Sequence, residues 1–231
     1  MLADILNDIV LLAKPALFNI YFAVAAIPLG FVLSLLVALA KNHRSRAVSL
    51  PAVVFIYAFR GSPLFIQFFM IYSLMLALNI DYWIVWGIDW LVMSPLFIGP
   101  IVLILNSTAY SAEIFYGAMR AVPKGEIEAA HAYGMTKWQC YRRVVLPNIL
   151  RLAWPSYTNE VVFLFHSTTL VYLALPVIDQ QKDIMNKAGE LFEQDYNIFL
   201  HFGVAALYFL VLSLAFFWLL GLVQKRLNRH K

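Results

Sequence analysis

The chain has 231 residues, of which 62% are hydrophobic and 13% are charged. Soluble globular proteins carry about 25% charged residues, so this chain has too few polar side chains to cover a water-exposed surface. Its net charge of +4 does not indicate a nucleic-acid partner, because the basic residues flank apolar segments and form no continuous patch. The lone Cys140 provides neither a disulfide framework nor a multi-cysteine metal site. The composition therefore favours a membrane protein.

Five apolar blocks follow one another along the chain, and each is long enough to cross a hydrocarbon core roughly 30 Å thick. The blocks cover residues 16–40, 52–80, 90–115, 157–177 and 198–223. They predict helices, because a span in lipid must satisfy its own backbone polar groups and no block shows the alternation of a membrane barrel. We therefore expect an all-α membrane protein, a bundle of about five transmembrane helices that forms a single domain over residues 1–231. Five spans are few for a complete secondary transporter, which implies a partner half.

The basic residues are distributed unevenly between the two sides of the predicted bundle. The loops of one side carry most of the lysines and arginines, including those in residues 41–46, 120–151 and 225–231. The other side carries only Lys14, Lys182 and Lys187, together with most of the acidic residues. Basic flanks of membrane spans remain in the cytoplasm. The distribution therefore predicts a periplasmic N-terminus and a cytoplasmic C-terminus.

The longest segment between spans covers about residues 117–155 and is predicted to lie in the cytoplasm. Residues 124–133 are good helix formers, and Gly134 ends the run. Thr136 is a suitable N-cap for a second helix over residues 138–145, which is predicted to end before Pro147. We expect a helix-turn-helix excursion that is too polar to enter lipid.

A spaced motif within this excursion resembles the conserved cytoplasmic loop of bacterial ABC-importer permeases. The motif departs from the usual pattern only at Val144, where isoleucine is common. Its members in order are Glu128, Ala129, Ala130, Gly134, Val144, Leu146 and Pro147. The resemblance implies that Glu128, Ala129, Ala130 and Gly134 belong to a coupling helix that docks in a groove of an ATPase subunit, where small alanines permit close approach and glycine permits the turn.

Two longer stretches, residues 59–67 and 106–130, are similar to permeases of the polar amino-acid uptake family. The likeness is greatest to the M-type subunits of histidine and lysine/arginine/ornithine importers, and it extends to opine importers. It implies a subunit of the bacterial inner membrane that works with a Q-type permease, two ATPase subunits and a periplasmic substrate-binding protein. It also implies a polar substrate, of which cationic amino acids and opines fit best.

The sequence carries no catalytic motif of its own. It lacks the G-x-x-x-x-G-K-[ST] phosphate loop, the H-E-x-x-H metal motif and the G-x-S-x-G nucleophile elbow. We therefore expect a chain that is not an enzyme and binds no cofactor or metal, whereas ATP and Mg are used by partner ATPase subunits. Rival interpretations are a nucleotide-independent secondary transporter or channel subunit, a structural scaffold and a membrane enzyme.

Polar side chains within the fourth block are candidates for substrate binding, because ionisable groups in spans are costly unless they face a cavity or a partner. Ser156, Glu160 and Ser167 recur at helical spacing, and Asn159 and His166 form a neighbouring stripe. Glu160 is the leading contact for a substrate ammonium or guanidinium group. The alternative is that Glu160 caps or pairs near a helix end beside Pro155. His166 and Ser167 stand where the broader family has Lys-Asp, so the complete pocket could instead lie in the partner subunit.

Two further charged residues lie in the second and third blocks. Arg60 precedes Gly61 and Pro63, which predict a break in the second block. Its charge either faces the translocation route, donates to carbonyls that the break leaves free, or pairs with a carboxylate such as Glu160. On the third block, Glu113 is expected to form a structural pair with Arg120.

Overall fold

The computed structural model describes residues 2–78, 84–87, 90, 94–176 and 182–229. The regular secondary structure of these residues is helical, which confirms the predicted all-α class. The helices are α1 (Leu2–Lys41), α2 (Arg46–Gly61), α3 (Leu64–Ala77), α4 (Pro95–Ala121), α5 (Lys124–Ala132), α6 (Lys137–Cys140), α7 (Leu146–Ser167), α8 (Thr169–Ala174), α9 (Ile184–Asp195) and α10 (Ile198–Asn228). A π-helical turn (Tyr141–Val145) joins α6 to α7.

Within the described part of the chain, α1, α4 and α10 are long and apolar enough to cross a membrane. The pair α2 and α3 would make a fourth span, although its two helices are bent by 113°. The α7 helix does not reach the same apolarity, because polar residues interrupt it. The predicted ends of the second and fourth blocks, at residues 80 and 177, lie outside the described residues.

The second block is broken where the sequence predicts it. Pro63 has no backbone N–H and disfavours a helical conformation at the residue before it. Ser62 accordingly adopts an extended conformation, with φ of −114° and ψ of 143°. The block therefore forms two helices instead of one continuous span.

The α4 helix lies at the centre of the bundle, where it packs along α1 and against α7, α2 and α3. Its small residues allow close approach: a Cβ added to Gly99 would lie 2.9 Å from both Phe22 and Val171. Farther along the helix, Phe115 is fully buried against α1 and α7. This packing fixes the faces of α2 and α7 that carry the candidate site residues.

The structure confirms most of the prediction for the helix-turn-helix excursion. Gly134 has a φ of +76°, the left-handed conformation that ends α5. Thr136 and Gln139 form a capping box at the start of α6. The predicted stop before Pro147 is wrong, since α6, the π-helical turn and α7 run on into one another. The widened π turn accommodates the proline ring, and the Leu146 N–H donates to the Tyr141 carbonyl.

Long-range polar contacts fasten α9 to α1 and α10 at the opposite end of the bundle. Asn19 on α1 donates to Thr168 at 2.9 Å, and its carbonyl oxygen accepts the first N–H of α9, that of Ile184, at 3.1 Å. His201 on α10 bonds Asp8 at 2.5 Å and Asp195 at 2.7 Å. These contacts hold α9 across the end of the bundle.

Candidate functional site

The helix α5 presents the motif residues to solvent. Glu128 and Ala129 are exposed, whereas Ala130 on the opposite face is buried. The exposed Gly134 lies in the turn directly after the helix. The helix is therefore anchored through Ala130 and leaves Glu128 free to contact another chain.

Two aromatic side chains next to the motif were missed by the sequence reasoning. Tyr133 is 86% exposed and Trp138 is 67% exposed. Trp138 stacks on Tyr141, with ring centroids 6.1 Å apart. We define the docking surface as Glu128, Ala129, Tyr133 and Trp138. Large aromatics in a polar loop were the available signal, because such side chains are enriched where proteins bind one another.

The helix α5, which carries part of the docking surface, contacts α7 through neighbouring residues. The amide of Asn148 near the start of α7 donates a hydrogen bond to the carboxylate of Glu126 on α5. Ile127 packs against the buried cluster that contains Ile149 and Phe115. These contacts join α5 to the N-terminal part of α7, the helix that carries Glu160.

Glu160 lies in the middle of α7, two turns from its C-terminal end. The capping alternative assumed a helix that starts near Pro155, and this assumption is wrong because α7 starts at Leu146. The side chain is partly buried, and its carboxylate forms no hydrogen bond or ion pair with any residue that the structure describes. Without such a partner among the described residues, the Glu160 carboxylate is available to a ligand or a partner chain.

The neighbours of Glu160 on α7 differ in what their side chains contact. Ser156 and Asn159 are exposed and share the Glu160 side. Ser167 donates to the Phe163 carbonyl of its own helix at 2.9 Å. His166 instead bonds Ser213 of α10 at 2.7 Å. Ser156 and Asn159 are thus exposed next to Glu160, whereas the side chains of His166 and Ser167 are engaged in hydrogen bonds.

Arg60 ends α2 beside the break and is half-exposed. Its Nη1 atom lies 3.9 Å from Glu113 Oε2, and its guanidinium lies 5.3 Å from the centre of the Tyr110 ring. Neither the suggested pairing with Glu160 within salt-bridge distance nor donation to the freed carbonyls is found in the described residues. The charged and aromatic contacts of Arg60 in the described residues are therefore with Glu113 and Tyr110 of α4.

Gln67, and not Arg60, donates hydrogen bonds to the carbonyls at the break. Its amide donates to the Phe59 carbonyl at 2.7 Å and to the Ser62 carbonyl at 3.0 Å. Its own carbonyl oxygen accepts a hydrogen bond from Asn106 of α4 at 3.0 Å. The break between α2 and α3 is thus satisfied by a buried amide pair that the sequence pattern did not single out.

Glu113 pairs with Lys41 and not with Arg120 as predicted. The Lys41 ammonium is 2.5 Å from Glu113 Oε2. Arg120 lies over the ring of Tyr116, 6.0 Å from its centre. The correction follows from the packing of α1 along α4, which brings the C-terminal Lys41 of α1 beside Glu113. The expectation of a structural role for Glu113 is kept, with a different partner.

The described residues contain no group of three or more His, Cys, Asp or Glu side chains that could hold a metal ion. The polar groups that the structure brings together can form hydrogen bonds and charge pairs. They form two sites, the docking surface at one end of α7 and the Glu160 face near its middle.

The chain is similar to curated permeases over most of its length. It is 36% identical to HisM, the permease protein of the histidine/lysine/arginine/ornithine transport system of Escherichia coli (strain K12), over 92% of this chain and 87% of HisM. It is 34% identical to the octopine transport system permease protein OccM of Rhizobium radiobacter, over 83% of this chain and 75% of OccM. These relatives confirm the resemblance to M-type polar amino-acid permeases.

Solved structures show the same fold. The crystal structure of an amino acid ABC transporter with histidines matches with a TM-score of 0.74 and 26% identity, covering 94% of each chain. A structure of the MetNI methionine ABC transporter in an inward-facing conformation shares the fold, with a TM-score of 0.71 and 16% identity over 95% of this chain and 97% of that one. Residues 26–229 match the family described as binding-protein-dependent transport system inner membrane component. The chain belongs to this family of binding-protein-dependent transport system inner membrane components.

Proposed function

We propose that the chain is a permease subunit of an ATP-driven, binding-protein-dependent importer, and that residues 1–231 form one transmembrane domain in the bacterial inner membrane. The observation that carries the proposal is the docking surface on α5 and its direct connection to α7. A helix-turn-helix excursion that offers Glu128 and two exposed aromatics to solvent is suited to bind a partner subunit. The charge distribution supports a cytoplasmic location for it.

Coupling follows from the connection between the docking surface and α7. ATP binding closes the ATPase dimer, which pushes on Glu128, Ala129 and their aromatic neighbours. The hydrogen bond between Glu126 and Asn148 transmits the displacement to α7. Because packed helices move as rigid bodies, the Glu160 face then shifts relative to α2 and α4. The substrate site is exposed alternately to the two sides of the membrane.

The proposed substrate is a polar amino acid, most suitably a cationic one or an opine. HisM and OccM belong to transport systems named for such compounds. The Glu160 carboxylate accepts hydrogen bonds from the ammonium or guanidinium group, and Asn159 and Ser156 supply neutral ones. Arg60, half-exposed beside the break, pairs with the substrate carboxylate. His166 is at most a secondary contact, since it bonds Ser213.

A partner permease is required on energetic grounds. Ser156, Asn159 and Glu160 would be costly against lipid, since a charged group within the bilayer costs several kcal/mol. We propose that a Q-type permease covers this face and completes the pocket. Two ATPase subunits bind ATP and Mg, and a periplasmic binding protein delivers the substrate.

ATPase measurements on the reconstituted complex test the coupling role. We expect Glu128→Arg to abolish the stimulation of ATP hydrolysis by loaded binding protein while the four kinds of subunit still co-purify. Asn228→Arg introduces an arginine at an exposed position of α10 on the cytoplasmic side and should retain stimulation. Full stimulation in Glu128→Arg would reject the coupling role.

A nucleotide-independent secondary transporter or channel makes the opposite prediction about energy. Its substrate flux would persist in vesicles depleted of ATP. It gives no role to the docking surface, so Trp138→Ala would leave transport unchanged. In the importer, removal of an exposed aromatic anchor weakens ATPase binding by about 1–2 kcal/mol.

A further inference from the structure

A basic groove lies between α1 and α9, at the end of the bundle remote from the docking surface. It has a volume of about 380 Å³, and its lining includes Lys14, Lys182, Lys187 and Glu190. The three lysines are the only basic residues that the charge distribution assigns to the periplasmic side. Residues from two separate parts of the chain thus concentrate that side's positive charge in one groove.

One glutamate neutralises only part of this charge. Lys182 and Lys187 both bond Glu190, the second at 3.0 Å from its Oε2 atom. Lys14 is exposed and forms no ion pair with any residue in the described ranges. Among the described lining residues, three ammonium groups face one carboxylate, an excess of two positive charges. The excess favours an anionic ligand.

The remaining lining of the groove is apolar. Leu11, Pro15 and Phe18 follow the same side of α1 as Lys14. Buried contacts of Leu12 and Ala16 with α9 hold the two helices together. The groove therefore combines a cationic part with an apolar wall on a fixed framework.

The position of Lys14 relates the groove to the bilayer. The predicted hydrocarbon block starts at residue 16, so Lys14 stands at the level where phospholipid headgroups begin. A lysine at this level presents its ammonium to the interface, while Phe18 lies one helical turn deeper. A phosphate at Lys14 and an acyl chain along Phe18 would match both parts of the groove.

We propose that this groove binds the headgroup of an anionic phospholipid from the periplasmic leaflet, with its acyl chain along the apolar wall. The inference rests on the membrane placement of the proposed function but not on the substrate or the coupling role. Electrostatic attraction supplies specificity for anionic over zwitterionic lipid, and it amounts to about a fivefold change in affinity for each lysine near the phosphate.

Native mass spectrometry of the assembled complex tests the proposal, with phosphatidylglycerol and phosphatidylcholine of identical acyl chains as probes. We expect phosphatidylglycerol to be retained preferentially. Lys14→Gln should lower its retention about fivefold, whereas Lys14→Arg should preserve it. Lys137→Gln removes the same charge from α6 and should have no effect. Thermal unfolding of each variant establishes that it is folded.

Three outcomes would overturn the proposal. The first is equal retention of the two lipids, and the second is equal retention of phosphatidylglycerol by Lys14→Gln and Lys137→Gln. The third is competition by soluble glycerol phosphate, which would make the ligand a free anion. Reduced stimulation by binding protein in Lys14→Gln with unchanged lipid retention would assign the groove to a protein partner instead. ATP-driven uptake is measured separately, so failure of the lipid site is distinguishable from failure of the importer function.

Discussion

Replacing Gln67 with leucine removes the polar contacts of this side chain at the break between α2 and α3. Gln67 is 4% exposed, and it donates to the carbonyls of Phe59 and Ser62 while accepting from Asn106. The substitution leaves the Phe59 carbonyl and the Asn106 amide without this partner in a buried position. Each such group costs about 1–3 kcal/mol, and polar groups within a membrane protein recover part of the loss through other partners, so we expect a destabilisation of about 2–4 kcal/mol.

The assay is equilibrium unfolding of the purified complex in detergent, followed by tryptophan fluorescence. Gln194→Leu is the matched control, because it makes the same change at an exposed position of α9. The control should change stability by less than about 0.5 kcal/mol. If Gln67→Leu were as stable as Gln194→Leu, the reasoning that Gln67 holds the 113° bend would be refuted.

Two other substitutions test contacts within the bundle. Glu113→Gln removes the charge that faces Lys41 at 2.5 Å and should lower the stability by about 1–2 kcal/mol. Because the Lys41 side chain is largely buried, salt screens the pair only weakly and most of the loss should persist at high ionic strength; a loss that disappears in high salt would contradict a structural pair. Gly99→Ala places a methyl group 2.9 Å from the Phe22 ring and should cost about 1–3 kcal/mol in thermal unfolding. Gly117→Ala, where an added Cβ meets nothing within 4 Å, should be neutral or stabilising, and equal effects at the two glycines would contradict the packing.

The helical class and the break in the second block could be predicted because they depend on local chemistry. Apolar blocks in a membrane require helices, and the stretch from Gly61 to Pro63 favours a break in one of them. Proline alone does not decide the break, since Pro28 and Pro100 lie inside α1 and α4. The same holds for the turn at Gly134 and the cap at Thr136, which depend on backbone conformations within a few residues.

Contacts between distant segments could not be predicted in the same way. The sequence suggested Arg120 as the ion-pair partner of Glu113 because the two residues are close along the chain. The actual partner is Lys41, which the packing of α1 on α4 brings beside Glu113. His201 bonds Asp8 across 193 positions, and no periodicity links the two. The role of Gln67 depends on Asn106, which only the packing of α3 against α4 brings within 3.0 Å.

The candidate site was predicted only in part. Helical spacing grouped Glu160 with Ser156, and the structure keeps them on one side of α7. The neighbouring stripe contained Asn159 and His166, and spacing along one helix could not predict that His166 bonds Ser213 of α10. Exposure of Tyr133 and Trp138 could not be read from composition, because an aromatic residue in a loop is buried or exposed according to the helices around it.

Uptake of radiolabelled arginine by proteoliposomes that contain the whole complex tests the central claim most directly. We predict accumulation that requires both ATP at the docking-surface side and loaded binding protein at the other. Glu160→Gln should reduce the rate about tenfold or more through loss of one charge-assisted hydrogen bond, with assembly and thermal stability unchanged. Arginine flux that is equal with and without ATP would contradict the account.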